Sequence, residues 1–114
     1  MSEILPVGFM ALVGKSNVRK TKFMGNDVEI RKLSISDVDQ LRSKSEALND
    51  ESLTDERKEE IGRDIMLTTL RVGVVGAAEL TEENLATFPL DDINALTKEI
   101  MVYSGLMEKE GKLR

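Results

Sequence analysis

The spacing of apolar positions changes repeatedly along this chain, and each change marks an element. In residues 1–16, Ile4, Leu5, Val7, Phe9, Met10, Leu12 and Val13 call for burial but follow no regular period. Pro6, Gly8 and Gly14 punctuate them. This stretch reads as an apolar arm that packs on the body or docks on a partner, or as an ordinary first strand. Val28 and Ile30 then alternate with charged residues, the period of a half-buried strand. The preceding Gly25-Asn26-Asp27 tolerates the positive φ of a tight turn. A short β-hairpin is expected at about 20–33. Because an isolated hairpin is marginal, it should rest on helices or pair with another copy.

Helical periods take over at Leu33. Ser34 as N-cap places Asp37 at the third helical position, an approximate capping box, with Leu33 and Val38 as a hydrophobic staple. Ile35, Val38, Leu41 and Leu48 share one face, and Asn49-Asp50-Glu51-Ser52 ends the helix. Ser52 or Thr54 caps a second helix predicted from Asp55 to Ala78. From Ile65 onward nearly its whole circumference is apolar, so it should be central. Gly73 and Gly76 each cost about 1 kcal/mol relative to Ala inside a helix. Their presence points to close approach of another backbone or to a break near Val72. The cluster Val72, Val74, Val75 also fits a buried strand; helix is the favoured reading.

The segment Ala77–Leu106 is the densest in signals. Thr81 caps a short helix with Glu82 and Glu83 in its first turn, and Leu80 with Leu85 forms a second staple. Pro89 stops that helix. Asp91 or Asp92 caps a longer one, in which Ile93, Leu96, Ile100, Tyr103 and Met107 repeat at alternating spacings of three and four. Such a seam serves intramolecular packing or a partner. Met101, Val102 and Leu106 widen the apolar surface beyond it, which implies a groove, a dimer or a client. Gly105 and Gly111 sit where the helix should fray. The organisation predicted is an arm at 1–16, one mainly α domain with a minor β-hairpin at 17–107, and a flexible charged tail at 108–114.

Composition sharpens this picture. At 114 residues the chain has the length of one domain, with three Phe, one Tyr and no Trp, so aliphatic residues and Met must fill the core. It has no Cys and no His. That removes disulfides, thiolate metal sites and the side chain best suited to acid–base work near neutrality. The acidic loop at Asp50 fails as a calcium loop, because that pattern wants Gly at position 55 and Glu at position 61, where Asp55 and Ile61 stand. The pairs Asp91/Asp92 and Glu82/Glu83 suit caps better than catalysis, since neighbours on a helix diverge by about 100°. No cofactor, metal or enzymatic activity is expected.

Charge is distributed unevenly. Lys15, Arg19, Lys20, Lys22, Arg31 and Lys32 face only Asp27 and Glu29 within residues 15–32, whereas residues 33–114 hold ten basic and eighteen acidic side chains. A basic element on an acidic body can steer partners, or its lysines can simply protect a sheet edge. A nucleic-acid regulator using this element is the alternative function, opposed by the acidic body and by the lack of interleaved aromatics apart from Phe23. Glu3 and Pro6 argue against a secretory signal. The apolar run Ile65–Leu80 is shorter than the ~20 residues of a bilayer span. A cytoplasmic protein without membrane contact is expected.

The phrase KFMGNDVEIRKLSISDVDQL, the helix ending in VVGAAELTEENLATFPLDDINALTKEIMVYSGL, and their order resemble tail assembly chaperones of long-tailed (siphovirus-type) bacteriophages. The resemblance covers about residues 20–107 and rests on helical phrasing, with no active-site motif to transfer. It does not extend to residues 1–16. It implies a non-enzymatic protein of the host cytoplasm, absent from the finished tail. Such a protein coats the tape measure protein, keeps it soluble and recruits tail tube subunits. For this chain a homo-oligomer is a further expectation. The residues expected at the contact are Leu70, Val74, Leu85, Phe88, Ile93, Leu96, Ile100 and Met101, which are also core candidates.

Overall fold

A computed structural model describes residues 8–15 and 17–108; positions 1–7 and 16 of the predicted arm, and 109–114 of the charged tail, lie outside the described residues. The order of elements is a 3-10 turn at Phe9–Leu12, strands β1 (Val18–Phe23) and β2 (Asn26–Arg31), then helices α1 (Ile35–Glu46), α2 (Asp55–Gly73), α3 (Glu82–Leu85) and α4 (Leu90–Tyr103). A short 3-10 turn, Ala47–Asn49, extends α1. The fold is a small, mainly helical α+β domain with one two-stranded antiparallel hairpin.

The hairpin register pairs Thr21 with Val28 and Arg19 with Ile30. Its inner face, carrying Phe23, Val28 and Ile30, packs on the helices. The turn lies one residue earlier than predicted: Met24 and Gly25 form the two-residue loop, with φ of 52° and 81°, and Asn26-Asp27 already belong to β2. Positive φ at both central positions is the geometry that matches strand twist. Met24 adopts it without the side-chain advantages of Asn or Gly, while the Asn26 amide donates to its carbonyl at 3.1 Å.

Three of the predicted caps form. The Ser34 hydroxyl accepts from the Asp37 N–H at 3.1 Å, and the Ser34 N–H donates to the Asp37 carboxylate at 3.0 Å. Thr54 caps α2 through the Arg57 N–H, and Thr81 makes a full capping box with Asn84 on α3. Asp50 serves its own turn: its carboxylate accepts both the Ser52 hydroxyl and the Ser52 N–H, at 2.7 and 2.9 Å. Those bonds hold its pKa below the ordinary carboxylate value. Two expectations shift. Ile35, placed on the buried face of α1, is 83% exposed, and Leu41 carries the buried contact of that helix. For α4, Pro89 is the N-cap residue, so Asp91 and Asp92 fall in the first turn. There they complement the dipole.

Helix α2 is central, packing on α1, α3, α4 and β2. It ends at Gly73, five residues before the predicted Ala78, and the valine cluster divides. Val72 stays helical, Val74 forms an antiparallel bridge with Ile30, and the Val75 N–H donates to the Glu29 carbonyl at 2.9 Å. The open edge of β2 thus draws the chain out of the helix, and Gly76 turns it away at φ 86°. Gly73 is indeed a point of close approach, but to a side chain: a Cβ there would lie 2.6 Å from Cγ2 of Ile100. At the far end of α4, the Gly105 N–H reaches the Val102 carbonyl and the Leu106 N–H reaches Met101. With Gly105 at φ 78°, this is a Schellman stop.

The core joins Ile30, Leu67, Leu70, Leu85, Ile93, Leu96 and Ile100. Phe23 meets Phe88 edge to face at 5.2 Å, pinning the hairpin to the α3–α4 linker. The Leu33 N–H donates to the Ser104 hydroxyl, and the Arg71 guanidinium donates to the Leu80 carbonyl at 2.7 Å. These bonds fix the ends of the connecting segments.

Two stability changes follow. Gly73→Ala should lower unfolding free energy by about 2 kcal/mol through overpacking, and most of that penalty should vanish in an Ile100→Ala background. Urea titration of the double-mutant cycle checks this; an equal penalty in both backgrounds would refute the contact. Met24→Asn should raise stability by about 0.5–1 kcal/mol by relieving positive φ, read as a higher melting temperature.

Candidate partner-binding groove

The predicted contact residues are divided by burial. Leu70, Leu85, Ile93, Leu96 and Ile100 are sealed in the core, whereas Val74, Phe88 and Met101 are half-buried. The seam of α4 therefore faces inward, and only its flanks are open at the surface. Val74 and Phe88 also line a small, wholly apolar space of about 170 Å³ beneath the hairpin, together with Phe23, Val28 and Leu80.

The flanks form two apolar depressions along the line where α2 meets α3 and α4. One, of about 560 Å³, lies between α2, α3 and the start of α4, and is lined by Met66, Leu85, Ala86, Phe88, Leu90 and Ile93, with Arg63, Glu82 and Glu83 on its rim. The other, of about 440 Å³, lies between the middles of α2 and α4. Gly62, Ile65, Met66 and Thr69 line it from α2; Asn94, Thr97, Lys98 and Met101 line it from α4, and Met107 closes one end. Met66 borders both depressions, which lie side by side along α2.

Local sequence explains this relief. Gly62 leaves α2 without a side chain at the groove wall, and Gly62 has open space around it. Thr69 and Thr97 turn their hydroxyls back to the Ile65 and Ile93 carbonyls, at 2.8 and 3.1 Å. Their polar atoms are thereby satisfied, so they present methyl groups without an unmet donor. Leu90 follows Pro89 at the helix start and stands 69% exposed on the groove edge. Three methionines, Met66, Met101 and Met107, supply adaptable apolar surface.

The basic element does not form one face. Arg19 lies beside Glu99 at 3.4 Å and over the Tyr103 ring at 4.7 Å; Lys32 lies over the same ring at 5.3 Å. Glu99 also accepts the Thr21 hydroxyl at 2.6 Å, tying β1 to α4. Lys20, Lys22 and Arg31 belong to the opposite face of the hairpin, where Lys22 pairs with Asp27 at 2.6 Å and Lys20 stands across from Glu29. Lys15 sits apart on the exposed arm. Among the described residues, no three or more His, Cys, Asp or Glu side chains gather as a metal cage. Within those residues no helix is long and apolar enough to cross a membrane.

Ile65, Met66, Leu90 and Met107 escaped the predicted contact set. Met66 and Met107 were visible as methionines, but their convergence requires knowing that α2 and α4 pack side by side. Comparison with known proteins finds no matching family model, no curated protein and no solved structure.

The split of the basic residues yields an expectation for nucleic acid. Duplex DNA at physiological ionic strength should give no salt-linked binding in fluorescence anisotropy. Binding that weakens steeply with salt and disappears in Lys20→Ala/Lys22→Ala would contradict it.

Proposed function

We propose that the protein is a non-enzymatic assembly chaperone that shields an apolar helix of a client in the groove between α2 and α4. The observation that carries this reading is the pair of apolar depressions that meet at Met66, one of them also lined by Met101 and Met107. An amphipathic helix laid along such a groove buries its own stripe without any chemical step. Methionines let one surface accept many side-chain patterns. That property suits a long client whose helical sequence varies along its length.

The resemblance of residues 20–107 to phage tail assembly chaperones supplies the client class: the tape measure protein, with tail tube subunits recruited afterwards in the host cytoplasm. The groove, about 560 Å³ at one end and 440 Å³ at the other, is of a size to hold the apolar side chains along one face of a helix. The role of the core seam is then indirect. Leu70, Ile93, Leu96 and Ile100 hold α2 and α4 at the separation that shapes the groove.

Co-expression with a tape measure protein should keep that protein soluble, and the two should co-elute on size exclusion. Ile65→Glu/Met101→Glu, at half-buried groove positions, should weaken the complex at least tenfold while circular dichroism stays unchanged. Failure of the unmutated chain to bind any tape measure segment would reject the reading.

A further inference from the structure

The hairpin has two edges, and the fold closes only that of β2. There the Glu29 carbonyl accepts the Val75 N–H at 2.9 Å, and Val74 bridges to Ile30. Among the described residues the sheet has two strands, so no strand pairs with the outer side of β1. The ladder fixes which groups point to that side. The Lys32 N–H donates to the Asn17 carbonyl at 3.1 Å, and Arg19–Ile30, Thr21–Val28 and Phe23–Asn26 follow as every second pair. Alternate pairs of an antiparallel ladder exchange both bonds. The residues between them, Val18, Lys20 and Lys22, therefore turn their N–H and C=O groups outward. All three are exposed.

Beside that edge lies a surface that fits a further strand. A depression of about 350 Å³ is lined by Arg19 from β1 and by Ala95, Lys98, Glu99 and Val102 from α4. Glu99 receives the Arg19 and Thr21 side chains. At about 100° per residue, Ala95 and Val102 stand farther round α4 from the buried Ile100 than Glu99 does. The depression thus lies beyond β1 on the side away from β2. A strand added there would carry alternate side chains over Ala95 and Val102, and the others beside Lys20 and Lys22.

Charge decides what that strand is. β1 carries Arg19, Lys20 and Lys22 and no carboxylate. Arg19 turns toward Glu99, whereas Lys20 and Lys22 project from the opposite face of the open strand. Like charges directly across a strand pair destabilise it. The edge lysines therefore reject a second copy of β1. Carboxylates in the same positions are attracted, so the residues that guard the edge against self-pairing also select an acidic strand.

We propose that the outer edge of β1 binds an extended segment of a partner protein in which carboxylates alternate with aliphatic residues. The two backbones supply the hydrogen bonds, the carboxylates meet Lys20 and Lys22, and the aliphatic side chains cover Ala95 and Val102. The depression shares only Lys98 with the one between the middles of α2 and α4. The proposal does not rest on the client reading.

NMR of the full chain with a synthetic peptide of alternating Glu and Val, about eight residues long, tests it. The peptide should shift the amide signals of Val18, Lys20 and Lys22 and slow their hydrogen exchange. Val18→Pro removes one outward donor without changing charge, at the first position of a strand, where proline is tolerated; binding should weaken about fivefold. Lys20→Gln/Lys22→Gln should weaken it by about the same factor. Both variants change exposed positions, so circular dichroism should stay native. A matching peptide of Lys and Val should not bind. The Ile65→Glu/Met101→Glu chain should bind the acidic peptide as the unmutated chain does, which separates this site from client binding. No binding at millimolar peptide overturns the proposal. So does equal affinity for the Lys–Val peptide, or binding that leaves exchange at the three edge amides unchanged, which marks adsorption to charge alone. The exchange measurement needs no variant.

Discussion

Ile100 reaches the backbone of α2 only because residue 73 has no side chain, and the packing of the two long helices depends on that contact. A Cβ at position 73 would lie 2.6 Å from the Ile100 Cγ2, far inside van der Waals distance. Among the described residues, Ile100, Leu70 and Ile30 are the three largest fully buried side chains, and they come from α4, α2 and β2. Where α2 ends at Gly73, the next residue bridges to Ile30 itself. One small residue thus lets α4 close on α2 and lies next to the point where the chain leaves α2 for the hairpin edge. The cost of Gly at a helix end is small beside the burial it permits, since a fully buried Ile contributes about 1.5–3 kcal/mol.

The same arrangement shapes the surface. With the seam of α4 turned inward, the flanks of the two helices cannot also close, because Gly62, Thr69 and Thr97 place little bulk between them. The result is an apolar groove whose hydroxyls are already satisfied within their own helices. A groove of that kind offers a partner apolar area without demanding specific polar complements. Affinity then comes from buried area and from methionine's adaptability. Specificity must come from the charged rim, where Glu82, Glu83 and Arg63 stand at one end and Lys98 at the other.

How much of this could be read from the sequence differs by feature. The caps at Ser34, Thr54 and Thr81 were legible because capping is local chemistry: a hydroxyl and the N–H groups within the next turn decide it. The inward seam of α4 was legible as periodicity, though not which way it faced. The end of α2 was not. Residues 72–75 have no local preference strong enough to decide between helix and strand, and the deciding partner, the free edge of β2, lies more than forty residues earlier in the chain. The hairpin turn was misplaced by one residue for a similar reason. Local propensity favours Asn26-Asp27 at positive φ, but the register that buries Val28 and Ile30 together puts Met24 there instead. The groove combines residues from α2, from α3, from α4 and from beyond α4, so no spacing rule could assemble it. The basic cluster was legible as composition, yet strand alternation sends Arg19 and Lys20 to opposite faces.

The central claim is that a client helix lies along the α2–α4 groove. Methionine methyl signals in a carbon–proton NMR spectrum test it most directly, because Met66, Met101 and Met107 line the groove while Met24 sits in the hairpin turn. On titration with an apolar tape measure segment, the account predicts large shifts at Met66, Met101 and Met107 and none at Met24. Shifts confined to Met24, or no shift at the three groove methionines under saturating segment, would contradict it.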